Sequence, residues 1–360
     1  MLIPELPAYL SSMGGGEYKG LIIALFTVTA GISRPFSGKL TDTVGRVPVM
    51  AVGSIVCFIC GFLYPLLGTV FGFLFLRLIH GFSTGFKPTA TAAYVADIIP
   101  ENRWGEALGI HGLCFSTGMA IGPAIGSAIT AHFSINVLFW FSSLFALLSI
   151  VILMNMKETL KNKQSFKLSH LKISRKDIIE KRVLPAAIIT FLSYFSYGAM
   201  LTAIPDWAAH LGITNKGLFF MTFTIASLLV RFVAGKVSDR FGRMKIIRFA
   251  LFLLVVSLIL IGRADSPFSL LAASVVYGIA TGILSPSLSA LTVDLSMPEN
   301  RGRAMATMYI ALEAGIGIGA LIAGWMFKDM ISVIPLVFYT SAAITVIGWV
   351  YALALRKKTT

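Results

Sequence analysis

The sequence predicts an all-α membrane protein assembled from two copies of one helical unit. Three observations carry this. Of 360 residues, 56% are hydrophobic and 13% charged, with a mean hydropathy of +0.84, whereas a soluble domain carries about 25% charged residues. The apolar residues fall in runs of about 20, the length a helix needs to cross a bilayer. The stretch Arg34-Pro-Phe-Ser-Gly-Lys-Leu-Thr-Asp-Thr-Val-Gly-Arg46 returns as Arg231-Phe-Val-Ala-Gly-Lys-Val-Ser-Asp-Arg-Phe-Gly-Arg243. Arg34, Gly38, Lys39, Asp42, Gly45 and Arg46 each meet an identical residue in the second copy. A pattern repeated at half the chain length marks an internal duplication.

The spans are expected near 18–38, 48–67, 70–96, 105–131 and 136–155, then 183–208, 216–237, 246–262, 268–294, 303–327 and 332–355. This divides the chain into an N-terminal bundle (1–156), a polar, basic linker (157–182) and a C-terminal bundle (183–360). The halves are unequal, five spans against six. Ile204-Pro-Asp-Trp, at the end of the first span after the linker, resembles Ile3-Pro-Glu-Leu near the start. The chain is therefore expected to lack most of a first span, through a misassigned start codon or a truncation.

The net charge of +14 does not point to nucleic acid, because the positive residues sit in short loops between apolar runs. Arg46, the linker lysines and arginines, Arg240, Arg243, Lys245, Arg248 and Arg356-Lys-Lys358 all fall on one side. By the positive-inside rule that side is cytoplasmic, so linker and C-terminus are expected inside. The linker reads as a solvated connector that also favours anionic headgroups. Of the three cysteines, Cys57 and Cys60 are spaced like a redox or metal pair, but inside apolar spans they read as small packing residues. No metal site is expected.

Three motifs resemble those of the major facilitator superfamily. Gly-Lys-Leu-Thr-Asp-Thr-Val-Gly-Arg46, duplicated in the second half, looks like the family's signature loop. Arg77-Leu-Ile-His-Gly81 is similar to its buried arginine followed by glycine. Gly109, Gly118, Gly122-Pro123 and Gly126 resemble the antiporter signature, and the second half has no Gly-Pro pair, as in the drug:proton antiporter branch. The resemblance implies two pseudo-symmetric six-helix bundles, about eleven of the twelve spans being present here. It also implies a substrate cavity between the bundles. His80 departs from it, standing where the family often has glutamine.

Each motif has a physical reading. The repeated stretches are expected to be short charged hairpins in which glycine makes the turn and Asp42 and Asp239 latch Arg46 and Arg243, with Asp97 close by. Simple topology needs positive charge but not aspartate, so Gly38, Asp42, Gly45, Arg46, Asp97, Gly235, Asp239, Gly242 and Arg243 are assigned to gating. Arg77, His80, Thr84, Lys87, Thr91 and Tyr94 recur at spacings of three and four, a polar stripe on one helix face. Each central charge costs about 2.5–3.5 kcal/mol to insert, so Arg77, His80, Thr84 and Lys87 are expected to line a watery cavity, the alternative being snorkelling to an interface. Glu313, deep in its span, reads either as a proton carrier with raised proton affinity or as half of a fixed ion pair. Tyr194, Tyr197 and Tyr277, with Thr281 and Ser285, complete the cavity. Glu5 and Asp206 read as solvated or capping charges and His111 as a packing residue.

Gly38-Lys39 and Gly235-Lys236 suggest ATP, but a P-loop requires Ser or Thr next and a glycine five residues earlier. Leu40, Val237, Ser33 and Val230 stand there. A proton suffices: one charge crossing about 100 mV releases about 2.3 kcal/mol, enough for a roughly 40-fold gradient of a neutral solute at about 1.4 kcal/mol per tenfold. The expected function is that of a secondary active exporter and not an enzyme. It would exchange protons for small amphipathic, drug-like molecules by alternating access. No cofactor is expected beyond the coupling proton, and a monomer in a bacterial inner (plasma) membrane is the expected form. The alternatives are an uptake symporter for a sugar or organic anion, favoured by Arg77 and Lys87, and a non-transporting receptor of the same fold, which the retained charges argue against.

Overall fold

The computed structural model describes residues 1–98, 104–160, 163–173, 179–296 and 301–355, without the side chains at 92, 96, 104–113, 232–240, 293 and 301–303. Gly109, His111, Gly235 and Asp239 lie outside the described side chains. Among the described residues there are twelve α-helices and no strand. Helix α1 (Leu6–Ser12) is short. It is followed by α2 (Lys19–Thr43), α3 (Arg46–Leu63), α4 (Val70–Ile98), α5 (Trp104–His132), α6 (Ile135–Met154) and, past the linker, α7 (Leu184–His210). The remainder are α8 (Gly217–Phe241), α9 (Arg243–Gly262), α10 (Pro267–Leu295), α11 (Arg301–Phe327) and α12 (Ile334–Ala354).

The eleven long helices lie where the eleven apolar runs lie. Nine are apolar enough to span a bilayer by composition alone among the described residues; α4 and α8 are not. In α4 the deficit comes from Arg77, His80 and Lys87, and α8 has its described apolar stretch at Gly217–Arg231. Phe71, Phe268, Trp325 and Met154 stand largely exposed on helix surfaces, as expected of an integral membrane protein whose solvent there is lipid.

Within the first half α2 packs on α4, and α3 on α4 and α6. Within the second, α8 packs on α10, α7 on α11, and α9 on α10 and α12. Lipid offers no hydrophobic drive between helices, so close backbone approach must hold them. A Cβ at Gly81 would strike the Phe26 carbonyl, and one at Gly278 the Phe223 carbonyl; the same contact is built in both halves. The halves themselves meet along two seams, α2 with α11 and α5 with α8.

The repeated stretches are less loop-like than expected. Helix α2 runs on to Thr43, so Gly38 and Asp42 lie on its last turns and only Val44 and Gly45 separate it from α3. Polar residues beyond an apolar run need not end a helix whose side chains can reach water. The stop is Gly45, at φ 137°, and its counterpart Gly242 sits at φ 91°. Gly38 makes no turn and faces open space. Arg46 Nη1 donates to Asp42 Oδ1 at 2.9 Å and its Nε to Asp97 Oδ2 at 3.0 Å. In the second half Arg243 Nε donates to Asp294 Oδ2 at 2.7 Å. Asp294, not foreseen, follows Arg243 at the same distance along the chain as Asp97 follows Arg46.

The linker is not simply solvated. Glu158 accepts the backbone N–H groups of Arg46 and Val47, both at 3.0 Å, at the start of α3. Gly45 has no side chain to cap that helix, whose first N–H groups need partners, and a carboxylate also suits the positive end of its dipole. Thr159 donates its hydroxyl to Asp97 at 2.6 Å, Gln164 N–H donates to the Thr43 carbonyl at 2.8 Å, and Lys39 Nζ donates to the Lys172 carbonyl at 2.7 Å. Partial burial pushes the Glu158 carboxyl up, but N–H donors from Leu160, Arg46, Val47 and Thr159 outweigh it and hold the group below its ordinary value of 4.5.

Two outcomes follow. Gly45→Ala forces a side chain into a backbone region open essentially to glycine and against the Glu158 carboxylate, at a cost of about 1–3 kcal/mol. Gly38→Ala leaves stability nearly unchanged; melting temperatures of the two purified variants check the contrast. A folded Glu158 that titrates low stabilises the protein above about pH 4.5, and that contribution fades as pH falls through the folded value. Glu158→Gln therefore melts below the parent at pH 7, and the gap closes on acidification.

Candidate functional site

A cavity of about 850 Å³ lies between the halves. Its wall contains the expected Arg77, His80, Thr84 and Lys87 from α4, Tyr194 and Tyr197 from α7, Thr281 and Ser285 from α10, and Glu313 from α11. It also contains Arg34 of α2 and Arg231 of α8, the first residues of the two repeated stretches. Helical periodicity explains the α4 set, because residues three and four apart share one face. Thr91 and Tyr94 continue that row but leave the cavity; Tyr94 packs on the apolar cluster of Leu40, Val49 and Met50.

The α4 residues differ in what they can do. Arg77 is 3% exposed, its Nε donates to the Ile22 carbonyl at 2.9 Å, and its guanidinium lies 4.5 Å from the Phe26 ring centre. His80 is wedged between the Tyr64 hydroxyl, 3.1 Å from Nδ1, and Cys57 Sγ, 3.4 Å from Nε2, so it is a packed network residue. Cys60 is buried nearby, and no cluster able to hold a metal occurs among the described residues. Lys87 Nζ donates to the Ser149 hydroxyl at 2.6 Å. Tyr277 also lines the cavity, as expected, as a fully buried side chain whose hydroxyl lies 3.4 Å from Ser196 Oγ.

Glu313 has a definite partner. Its Oε1 accepts Arg34 Nη2 at 2.6 Å, and the Arg34 guanidinium also lies 5.0 Å from the Tyr309 ring centre. Arg34 belongs to the first half and Glu313 to the second, so the pair spans the seam. Around it α11 is smooth. A Cβ at Gly315 would strike the Phe191 carbonyl and one at Gly319 the Phe195 carbonyl, both on α7, while Gly317 faces Thr27 on α2.

At the end of the cavity away from the repeated turns, more charge crosses the seam. Lys19, 2% exposed, donates to Asp206 Oδ2 at 3.0 Å and also pairs with Asp329. Glu5 accepts the Ser127 hydroxyl at 2.7 Å and lies 3.9 Å from Lys216 Nζ. Glu5 is thus a buried partner and Asp206 a half-buried one, not the solvated or capping charges expected of them. Their partners lie at positions remote in sequence, which local context cannot show. At the turn end, by contrast, Arg46 and Arg243 each bind aspartates of their own half. On α5, Gly122 and Gly126 face Met1 of the same half, whereas on the second seam a Cβ at Gly217 of α8 would strike the backbone at Pro123. Gly118 meets nothing, so the antiporter-like glycines do not form one uniform contact face.

The model of the family described as Major Facilitator Superfamily matches residues 1–185 and again 186–360. The multi-drug resistance efflux pump PmrA of Streptococcus pneumoniae serotype 4 is 26% identical over 335 residues, covering 89% of this chain and 83% of the pump. The quinolone resistance protein NorA of Staphylococcus aureus strain MSSA476 is 28% identical over 340 residues, covering 91% and 85%. In fold, a crystal structure of a POT family transporter in complex with 5-aminolevulinic acid matches with a TM-score of 0.83 at 13% identity, over 100% of this chain and 93% of that one. Duplicated helices, a charged cavity between them and a family match that restarts at mid-chain have one common account: the chain belongs to the major facilitator superfamily of membrane transporters, which are not enzymes.

Proposed function

We propose that the chain is a proton-coupled exporter of small amphipathic molecules, working by alternating access in a bacterial inner membrane with the linker and the repeated turns on the cytoplasmic side. The observation that carries this is the Arg34–Glu313 pair, 2.6 Å long, on the cavity wall and across the seam. A carboxylate so placed is bound to the opposite half only while ionised. Protonation removes its charge, and Arg34 then loses its ionic hold on α11; deprotonation restores it. In a low-dielectric setting this difference is large, and a proton taken up on one side becomes a change in how the halves grip each other.

The other seam contacts fit the same cycle. The Lys19, Asp206 and Asp329 cluster and the Glu5–Lys216 pair join the halves at the outer end, so this conformation is read as closed outside and accessible from the cytoplasm. The Arg46 and Arg243 pairs, together with the Glu158 cap, brace the inner rim of each half as a rigid unit, and rocking of one half against the other exchanges one set of contacts for another. The relatives named as multidrug and quinolone resistance pumps support export of drug-like solutes.

Proteoliposome flux tests this reading. With an imposed proton gradient, the parent protein is expected to move a panel of amphipathic dyes against their own gradient. Glu313→Gln is expected to lose this uphill movement by about tenfold or more while retaining dye-for-dye exchange, since exchange needs no proton. Uphill flux unchanged by Glu313→Gln would overturn the role given to Glu313.

A further inference from the structure

The cavity is electrostatically lopsided. Its described charged side chains are Arg34, Arg77, Lys87 and Arg231 against one carboxylate, Glu313. Glu313 is committed to Arg34. Arg77, Lys87 and Arg231 make no ion pair to any described residue; Arg77 is held by the Ile22 carbonyl and the Phe26 ring, and Lys87 by Ser149. Arg231 makes no hydrogen bond to any described residue and stands exposed on the cavity wall.

The duplication shows what is missing at Arg231. Arg231 occupies in the second repeated stretch the place that Arg34 holds in the first, and α8 packs on α5 as α2 packs on α11. The sequence reads Pro-Glu-Asn-Arg at 100–103, just before α5, and again at 298–301, where α11 begins. Counting twelve residues on from the arginine of each reaches Phe115 in one half and Glu313 in the other. The second seam therefore has the cation of the Arg34–Glu313 pair but an aromatic ring where its carboxylate would be. Phe115 is 61% exposed and lines the same cavity, as do Tyr194 and Tyr197.

We propose, building on the transport reading above, that the carried solute is an amphipathic organic anion whose acid group pairs with Arg231 and whose apolar ring lies against Phe115. The physical case rests on three points. Unpaired cations facing one cavity in a low-dielectric slab raise the local concentration of anions. A guanidinium presents a planar fork that matches a carboxylate, sulfonate or phosphate group. The aromatic wall supplies stacking for the body of the solute, which a small inorganic anion would not use. Arg231 then selects by charge, while the Arg34–Glu313 pair carries the proton.

The test uses three ligands with one ring and different charge: 1-naphthoate, 1-naphthamide and (1-naphthylmethyl)ammonium. Binding to the full 360-residue chain in detergent is measured by titration calorimetry. Naphthoate is expected to bind roughly tenfold or more tightly than the ammonium. Arg231→Gln is expected to weaken naphthoate about tenfold while leaving the amide within about twofold, and Arg231→Lys to keep most of the naphthoate affinity. No naphthoate binding, tighter or equal binding of the ammonium, or an equal loss of acid and amide in Arg231→Gln each overturns the proposal. Flux separates it from the reading beneath it. Naphthoate that binds as expected but is not transported upholds the anion site and removes the transport reading. Glu313-dependent transport of the ammonium, with no naphthoate binding, does the reverse.

Discussion

Charge carried across the seam between the halves is the constraint on which the rest of this molecule depends. A charged group at membrane depth is expensive, and removing one member of a buried pair costs about 3–5 kcal/mol because the other is left uncompensated. The chain nevertheless places Lys19, Asp206, Arg34 and Glu313 where their ion-pair partners among the described residues lie in the opposite half. Ion pairs between residues remote in sequence thus join the two halves and specify which surfaces meet. Apolar contact alone would not discriminate in this way, since lipid covers an apolar helix face about as well as another helix does.

The packing divides accordingly. Inside each half, backbone approach at glycine builds the same contact twice, as at Gly81 on Phe26 and Gly278 on Phe223. These contacts require no charge. Along the α2–α11 seam, Gly317 and Gly324 of α11 face Thr27 and Gly20 of α2, beside the Arg34–Glu313 ion pair. At the turn end the aspartate–arginine pairs stay within one half, and Glu158 ties the linker to the first turn of α3.

The duplication also explains where function enters. Identical residues in both copies, such as Gly45 and Gly242 at positive φ, serve what the halves share, namely turns and helix termini. Positions where the copies differ serve what the whole molecule does once. Glu313 against Phe115 is such a difference, and it turns two equivalent arginines into one paired and one unpaired cation. The cavity thus has two unlike walls.

Membrane crossing, duplication and the polar row on α4 were all legible in the amino-acid sequence. Each depends on composition or on periodicity within one helix, where neighbours in space are neighbours in the chain. Arg77, His80, Thr84 and Lys87 reach the cavity for that reason, and Tyr94 drops out only because the helix passes beyond it into packed side chains. The partners of charges were not legible. Lys19 meets Asp206 and Asp329, and Arg34 meets Glu313, across 187, 310 and 279 positions, and nothing local distinguishes such a residue from a solvated one. The role of Glu158 is hidden in the sequence for the same reason, because the N–H groups it accepts belong to α3. The sequence by itself determined which segments cross the membrane and which faces are polar, since these follow from short-range chemistry. Only the tertiary structure decided which charges neutralise one another and which stand unpaired, because pairing is set by how separately formed helices come to lie side by side.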